Sequence, residues 1–125
     1  VFKVIDFQNA IFVKMKQDNG LVPLVQPLLV AGENIVGAYK AMREGVVFTD
    51  KRIIAVNVQG VTGKKKDFTS LPYSKVTAFS VETAGVLDMD NELELWFSGL
   101  GRVKFEFTAQ CNISQIQSII ASYAL

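Results

Sequence analysis

The sequence predicts a mainly β domain, a barrel of seven antiparallel strands closed by a C-terminal α-helix and preceded by a short helical N-terminal extension. Three observations support this prediction. Apolar and polar residues alternate through seven short runs between residues 33 and 108, and Gly, Asp, Asn or Ser residues separate the runs. Residues 113–123 change to the 3.6-residue period of a helix. The 125 residues, half of them apolar and a fifth charged, suffice for one globular domain.

The first thirty residues are predicted to be the extension, and residues 31–125 the barrel domain. From residue 5 to residue 16, apolar side chains recur at spacings of three and four, which favours an amphipathic helix. The recurring residues are Phe7, Ile11, Phe12 and Met15. Residues 4–13 also suit a strand, and that alternative stays open. Residues 21–30, which contain two prolines, suit a second short helix that ends before a glycine.

The seven predicted strands follow the alternating runs. They cover residues 35–43, 46–49, 53–58, 67–73, 76–83, 92–97 and 103–107. The fourth run ends near Pro72, which has no N–H to donate, so we expect an edge strand there. In the last two runs Glu94 and Lys104 fall opposite each other and are expected to pair across the strands. Asn112 is the predicted N-cap of the final helix, with Gln115 three residues later.

The composition excludes several classes of functional site. The chain has no histidine, so it cannot build a Ser-His-Asp triad, a Cys-His pair or a histidine-ligated metal. Its one cysteine, Cys111, cannot form an internal disulfide or a multi-thiolate zinc site, and it suits a reducing compartment. No apolar run approaches the roughly 20 residues of a membrane span. We therefore predict no enzyme activity, no catalytic residues, no cofactor, no metal and a cytoplasmic location.

Positive charge is concentrated at two predicted turns. Lys64, Lys65 and Lys66 lie in a glycine-rich hairpin, and Lys51 and Arg52 lie in a tight turn between two strands. A solvated hairpin tip is the simpler interpretation, and an anion-binding site for phospholipid headgroups is the alternative. The net charge of +1 gives no broad electrostatic footprint, and no exposed aromatics flank the lysines, so no nucleic-acid partner is predicted.

A second candidate surface follows from a lack of charge. The terminal helix has no Asp, Glu, Lys or Arg from residue 112 to residue 125, although a helix at the surface of a monomer should have a charged outer face. Trp96 falls on the outward side of its strand, where a large aromatic is normally covered. A subunit interface is one explanation, and packing within one chain is the other. The interface candidates are Trp96, Ile119, Tyr123 and Leu125.

Four local strings of the sequence, in this order, point to a known family. They are GVVFTDKRII at residues 45–54, QGVTGKKK at 59–66, LPYSKV at 71–76 and FSVETAG at 79–85. From residue 28 to residue 125 the chain closely resembles the bacterial pleckstrin-homology (PH-like) domain family. The resemblance implies two nearly orthogonal antiparallel sheets, with the final helix plugging one open corner. It also implies homo-oligomers that form closed rings, with a pentamer favoured.

The resemblance does not extend to the pattern of the lipid-binding members. PH domains that bind phosphoinositides use Lys and Arg spaced through the loop after the first strand, whereas this chain has a short link with Glu44 inside it. Phosphoinositide binding is therefore not expected. The predicted function is a non-catalytic module that self-assembles into a ring and binds or scaffolds an unknown protein partner. The alternative is peripheral membrane or anionic-ligand binding through the lysine hairpin.

Overall fold

The computed structural model describes residues 12–85 and 90–125. Within them the chain has eight strands in two antiparallel sheets, followed by a C-terminal helix. The first sheet has the order β1 to β5, with β1 Lys16–Gln17, β2 Ile35–Lys40, β3 Glu44–Thr49, β4 Arg52–Gln59 and β5 Lys65–Pro72. The second sheet has the order β6 to β8, with β6 Val76–Glu82, β7 Asp90–Phe97 and β8 Gly101–Thr108. The final helix, α2, covers Ile113–Ala124.

The predicted fold class is confirmed, and the seven predicted strands correspond to β2 through β8. Alternation marks the strands of the second sheet because a half-buried strand turns successive side chains to opposite faces, whereas β3 and β4 are continuous apolar runs. β5 is the outer strand of the first sheet and ends at Pro72, as expected of an edge strand. The N-cap is also confirmed, since Asn112 Oδ1 accepts a hydrogen bond of 3.1 Å from the Gln115 amide.

The helix predicted for residues 5–16 is wrong over its described part, because residues 12–16 are not helical and follow β8, with Lys14 in the left-handed region at φ 53°. The Phe12 carbonyl accepts a 2.9 Å bond from the Glu106 amide, and the Met15 carbonyl accepts one of 2.9 Å from the Thr108 amide. Phe12 and Met15 are buried in the core. Pairing with the open edge of β8 outweighs the local periodicity, and β1 then continues into the first sheet. Residues 5–11 lie outside the described residues, and so does most of the range 4–13, for which a strand was the alternative prediction.

The segment that contains two prolines covers the outer face of the first sheet. It forms a one-turn α-helix, α1 (Val22–Val25), and a 3-10 turn (Gln26–Leu28), each with proline in its first positions. Leu21 and Val25 pack on the sheet in a small core separate from the main one between the sheets. β3 and β4 are therefore covered on both faces, and their middle residues are buried without interruption. The predicted boundary between residues 30 and 31 stays a prediction.

Candidate functional site

Two turns meet at one end of the first sheet and form its most basic region. The β2–β3 turn is residues 41–43, and the β4–β5 connection is residues 60–64. The Arg43 guanidinium donates a hydrogen bond to the Gly60 carbonyl, and the Val58 amide donates one of 2.8 Å to the Arg43 carbonyl. Arg43 therefore fastens the two turns together. We call residues 41–43 and 60–66 the hairpin end.

The hairpin end combines cations with exposed apolar side chains. The lysines at residues 64–66 are all exposed, Met42 is 89% exposed and Val61 is fully exposed. The Lys40 ammonium, just before the first turn, lies 3.3 Å from the carbonyl oxygens of Ala41 and Met42. Sequence reasoning found the three lysines but missed Arg43, Met42 and Val61. Apolar residues at the tips of two adjacent turns were the signal that could have indicated them.

The structure does not bring the other two predicted cations to this site. Arg52 pairs with Pro72, whereas Gln59 at the other end of β4 pairs with Lys65. Seven residues of extended strand separate these positions, a distance of about 23 Å. Lys51 is exposed beyond the start of β4. The two basic groups that the sequence suggested therefore lie at opposite ends of one hairpin.

Arg52 is held by a buried carboxylate. Its Nε and Nη2 atoms each lie 2.9 Å from an oxygen of Glu33, whose side chain is fully buried. Nη1 donates to Ser70 Oγ at 2.8 Å, and the Thr49 hydroxyl donates to Glu33 at 2.6 Å. The hydrogen bond from Arg52 is the main reason that the pKa of Glu33 falls from 4.5 to about 2, against the opposing effect of burial. With its donors engaged inside the protein, Arg52 has a structural role, and we leave it out of the anion-binding set.

The four interface candidates lie in two places. On α2, Ile119 is half-buried against the main core, Tyr123 stacks on the buried Tyr73 with ring centroids 5.6 Å apart, and Leu125 is 92% exposed. Trp96 is half-buried on the side of β7 that faces away from the core. Ile119 and Tyr123 thus have partners within the chain, while Leu125 and part of Trp96 remain accessible.

An uncharged surface runs along the outer strand of the second sheet. Trp96 stands opposite Ala78 of β6, and the Thr77 hydroxyl donates to the Trp96 carbonyl at 3.0 Å. Residues 76–81 contain no charge, and α2, which packs beside β6, has none either. By contrast β5 has two lysines, an aspartate and a proline, features that discourage edge-to-edge pairing. We call residues 76–81 of β6, Trp96 and the end of α2 from Tyr123 to Leu125 the uncharged edge.

The outer face of β7 and β8 carries a network of ion pairs. The predicted register between Glu94 and Lys104 is confirmed, but the ion pair between them is wrong. The Lys104 ammonium instead lies 3.2 Å from Glu92 and 3.7 Å from Glu106, while Glu94 lies 3.6 Å from Arg102. The twist of the sheet favours the two diagonal contacts, Lys104 with Glu92 and Arg102 with Glu94, while Lys104 and Glu106 are neighbours on one face of β8. Hydrogen bonding to Glu92 raises the pKa of Lys104, and burial raises the pKa of Glu106.

The net charge of the chain is small, but positive and negative residues are unevenly distributed between its two sheets. Residues 12–75 carry ten Lys and Arg against five Asp and Glu. Residues 76–85 and 90–125, which form the second sheet and α2, carry two against five. One side of the molecule is therefore basic and the other acidic, which gives it an electrostatic direction.

Within residues 12–85 and 90–125, no group of three or more Cys, Asp or Glu side chains is placed to hold a metal ion. No helix in the same ranges has the length and apolar character needed to cross a bilayer.

Comparison with known proteins identifies the family. A family model described as the bacterial PH domain matches residues 5–124, almost the whole chain. The chain belongs to the bacterial PH domain family. The resemblance seen in the sequence is therefore confirmed, and the match begins well before residue 28, where that resemblance started.

Relatives and solved structures agree with this family. This bacterial PH domain is 45% identical over 100 residues to the uncharacterized protein YjqA of Bacillus subtilis (strain 168), covering 78% of this chain and 80% of YjqA. It is 31% identical over 99 residues to the uncharacterized protein YozO of the same strain, covering 79% and 85%.

Two crystal structures show the same fold. The first is a DUF1696 family protein with a pleckstrin-homology domain from Shewanella loihica PV-4, with a TM-score of 0.79, 38% identity, and coverage of 90% of this chain and 99% of that one. The second is a pleckstrin homology domain from Shewanella amazonensis SB2B, with a TM-score of 0.65, 44% identity, and coverage of 86% and 98%.

Proposed function

We propose that this bacterial PH domain is a non-catalytic cytoplasmic module that assembles head to tail into a closed ring, with a pentamer favoured, and presents the ring to a protein partner. The uncharged edge is the observation that supports this proposal. Within the described residues β6 pairs only with β7, so its outer backbone groups face away from the sheet. Residues 76–81 of β6 have neither charge nor proline, and an open strand edge of this kind pairs readily with another chain.

The separation of charge favours a head-to-tail arrangement over a symmetric dimer. In a twofold dimer the same patch meets itself, which would bring two acidic sides together around the uncharged edge. In a ring, two different surfaces meet at every contact, and the acidic side of one copy can face the basic side of the next. Head-to-tail contacts that close on themselves give cyclic symmetry.

Light scattering across a dilution series tests the assembly. We expect a stable mass of about five times the monomer. Ala78→Lys and Trp96→Lys, which place a charge in the uncharged edge, are expected to lower that mass to the monomer's because an unpaired charge in an interface core is costly. Thr62→Lys adds the same charge at the exposed hairpin end and serves as the control, with its mass unchanged. A monomeric native chain at every concentration would contradict the proposal.

A second candidate function is binding to an anionic membrane surface, because the hairpin end places Met42 and Val61 beside four cations. Exposed apolar tips can enter the interfacial region of a bilayer while the neighbouring lysines approach the headgroups. The contribution of each lysine is about 1 kcal/mol, or about fivefold in affinity. This interaction would be reversible and sensitive to salt.

Sedimentation with vesicles tests the second candidate. We expect low-salt binding to vesicles that contain phosphatidylserine and none to phosphatidylcholine alone. Changing Lys64, Lys65 and Lys66 together to alanine is expected to weaken binding about a hundredfold. Lys51→Ala, at the far end of the hairpin, is the matched control and should bind like the native chain. Equal binding of the triple variant and the native chain would rule out the hairpin end as the contact.

A further inference from the structure

A polar pocket of about 650 Å³ opens where the short strand β1 and the end of β2 approach the first turn of α2. None of its lining residues belongs to the hairpin end or to the uncharged edge. Lys16 and Gln17 come from β1, Tyr39 from β2, and Cys111 and Gln115 from the start of α2 and the turn before it. This volume is within the range of pockets that hold small molecules.

Tyr39 lines this pocket, and its hydroxyl has no hydrogen-bond partner among the described residues. Its side chain is 5% exposed, and its ring is fixed edge-on by Phe48 and Phe107 at centroid distances of 5.8 and 5.1 Å. This hydroxyl makes no hydrogen bond to residues 12–85 or 90–125. In those ranges every side-chain oxygen or nitrogen that is fully enclosed by protein has a hydrogen-bond partner, so the Tyr39 hydroxyl is not fully enclosed. The hydroxyl therefore reaches the pocket space. A nearly buried phenol without a protein partner is a donor available to a ligand.

The electrostatic surroundings of the hydroxyl favour a negative ligand. Lys16 is the one charged residue among those that line the pocket in the described chain, and no carboxylate lines it there. The 12-residue helix α2 begins at the pocket, with Asn112 and Gln115 in the lining, and a helix start has partial positive charge. Burial, together with the nearby Cys111, raises the pKa of Tyr39, so the phenol stays protonated and can donate.

We propose that this pocket binds a small organic anion, a carboxylate or a phosphate monoester. One ligand oxygen accepts the hydrogen bond of the Tyr39 hydroxyl, and Lys16 and the start of α2 offset the negative charge. The inference is independent of ring assembly and of membrane binding, since it uses neither of those surfaces.

Cys111 provides a reporter inside the same pocket. Its thiol is half-buried, with Sγ 3.5 Å from the Met15 carbonyl, and a ligand in the pocket would cover it. The probes are glycerol 3-phosphate and succinate. Their neutral counterparts are glycerol, which lacks the phosphate, and succinamide, which keeps the shape of succinate. We expect both anions to slow the alkylation of Cys111 by iodoacetamide in a saturable manner, and the neutral counterparts to have no effect.

Three variants localise the effect to the proposed contacts. Tyr39→Phe keeps the ring packing and removes only the hydroxyl, and it is expected to weaken protection by the anions about tenfold. Lys16→Gln removes the positive charge and should weaken it by a similar factor. Lys75→Gln removes an exposed positive charge outside the pocket and should protect like the native chain.

Amide chemical shifts give a second readout that does not depend on thiol reactivity. We expect anion-dependent shifts concentrated at residues 110–115 in the native chain and reduced shifts in Tyr39→Phe. The proposal is overturned if neither probe shifts these amides or protects Cys111 at tens of millimolar, or if Tyr39→Phe binds as tightly as the native chain.

Discussion

Replacing Arg52 by methionine is expected to lower the free energy of unfolding by about 3 kcal/mol, measured by urea denaturation. The variant keeps most of the apolar stem but leaves the Glu33 carboxylate buried without its cation. It also removes the donor to the Leu28 carbonyl, 2.9 Å away, which ties the 3-10 turn to β4. A charge that is buried and has lost its partner costs far more than a broken surface pair.

The same contact gives the protein a specific dependence on acid. The pKa of Glu33 is lowered in the folded protein to about 2 from 4.5, so its ionised form stabilises the fold fully above pH 4.5. This stabilisation is lost as the pH falls from 4.5 toward 2. We expect the native chain to lose stability through that window with a steeper slope than Glu33→Gln, in which the titrating group is absent.

Lys51→Met is the control, because its side chain is exposed one residue before Arg52. We expect its stability to lie within about 0.5 kcal/mol of the native value. If Arg52→Met changed stability no more than Lys51→Met, or if Glu33→Gln kept the full acid slope, the pair would not be a stabilising contact of the fold.

The strands and the final helix were predictable because local pattern and burial agree in them. Each strand of the second sheet has one face in the core, so alternation in the sequence maps directly onto alternation in the structure. The stripe of Ile113, Ile116 and Ile120 in α2 likewise faces the core. In β3 and β4 the continuous apolar runs were still interpreted as strands, since glycine and charged turns bound them.

The remaining features depend on contacts between residues distant in the chain. Phe12 and Met15 are three residues apart, a spacing that suits a helix. In a regular strand this spacing would place them on opposite faces, but Lys14 between them has a left-handed φ of 53°, and both side chains are buried in the core. Arg52 looked like an exposed cation because its partner Glu33 lies nineteen residues earlier in a turn. The lysines of the hairpin end were visible in the sequence, whereas the pocket at Tyr39 requires β1, β2 and α2 to be assembled.

Gly45→Ala is expected to lower the free energy of unfolding by about 3 kcal/mol, at the upper end of what overpacking costs. Gly45 lies in β3 opposite Lys40, and a Cβ atom there would overlap the Tyr39 carbonyl oxygen and the Leu21 side chain. Two of its near neighbours are backbone atoms of β2, which cannot move without disturbing the β2–β3 hydrogen bonds. Thermal and urea unfolding of the variant measure the effect.

Gly37→Ala is the matched control in the neighbouring strand. A Cβ atom at Gly37 would meet its nearest neighbour, a Tyr39 ring carbon, at 3.6 Å, which is ordinary contact, so we expect a change below about 1 kcal/mol.

Leu21→Ala separates the two contributions at Gly45. In that background the alanine no longer meets the leucine, so its cost should fall, but the part due to the Tyr39 carbonyl should remain. If Gly45→Ala and Gly37→Ala lowered the free energy of unfolding equally, β2 and β3 would be able to separate enough to admit a methyl group. In that case Leu21 would not need the absence of a side chain at Gly45 in order to pack on the sheet.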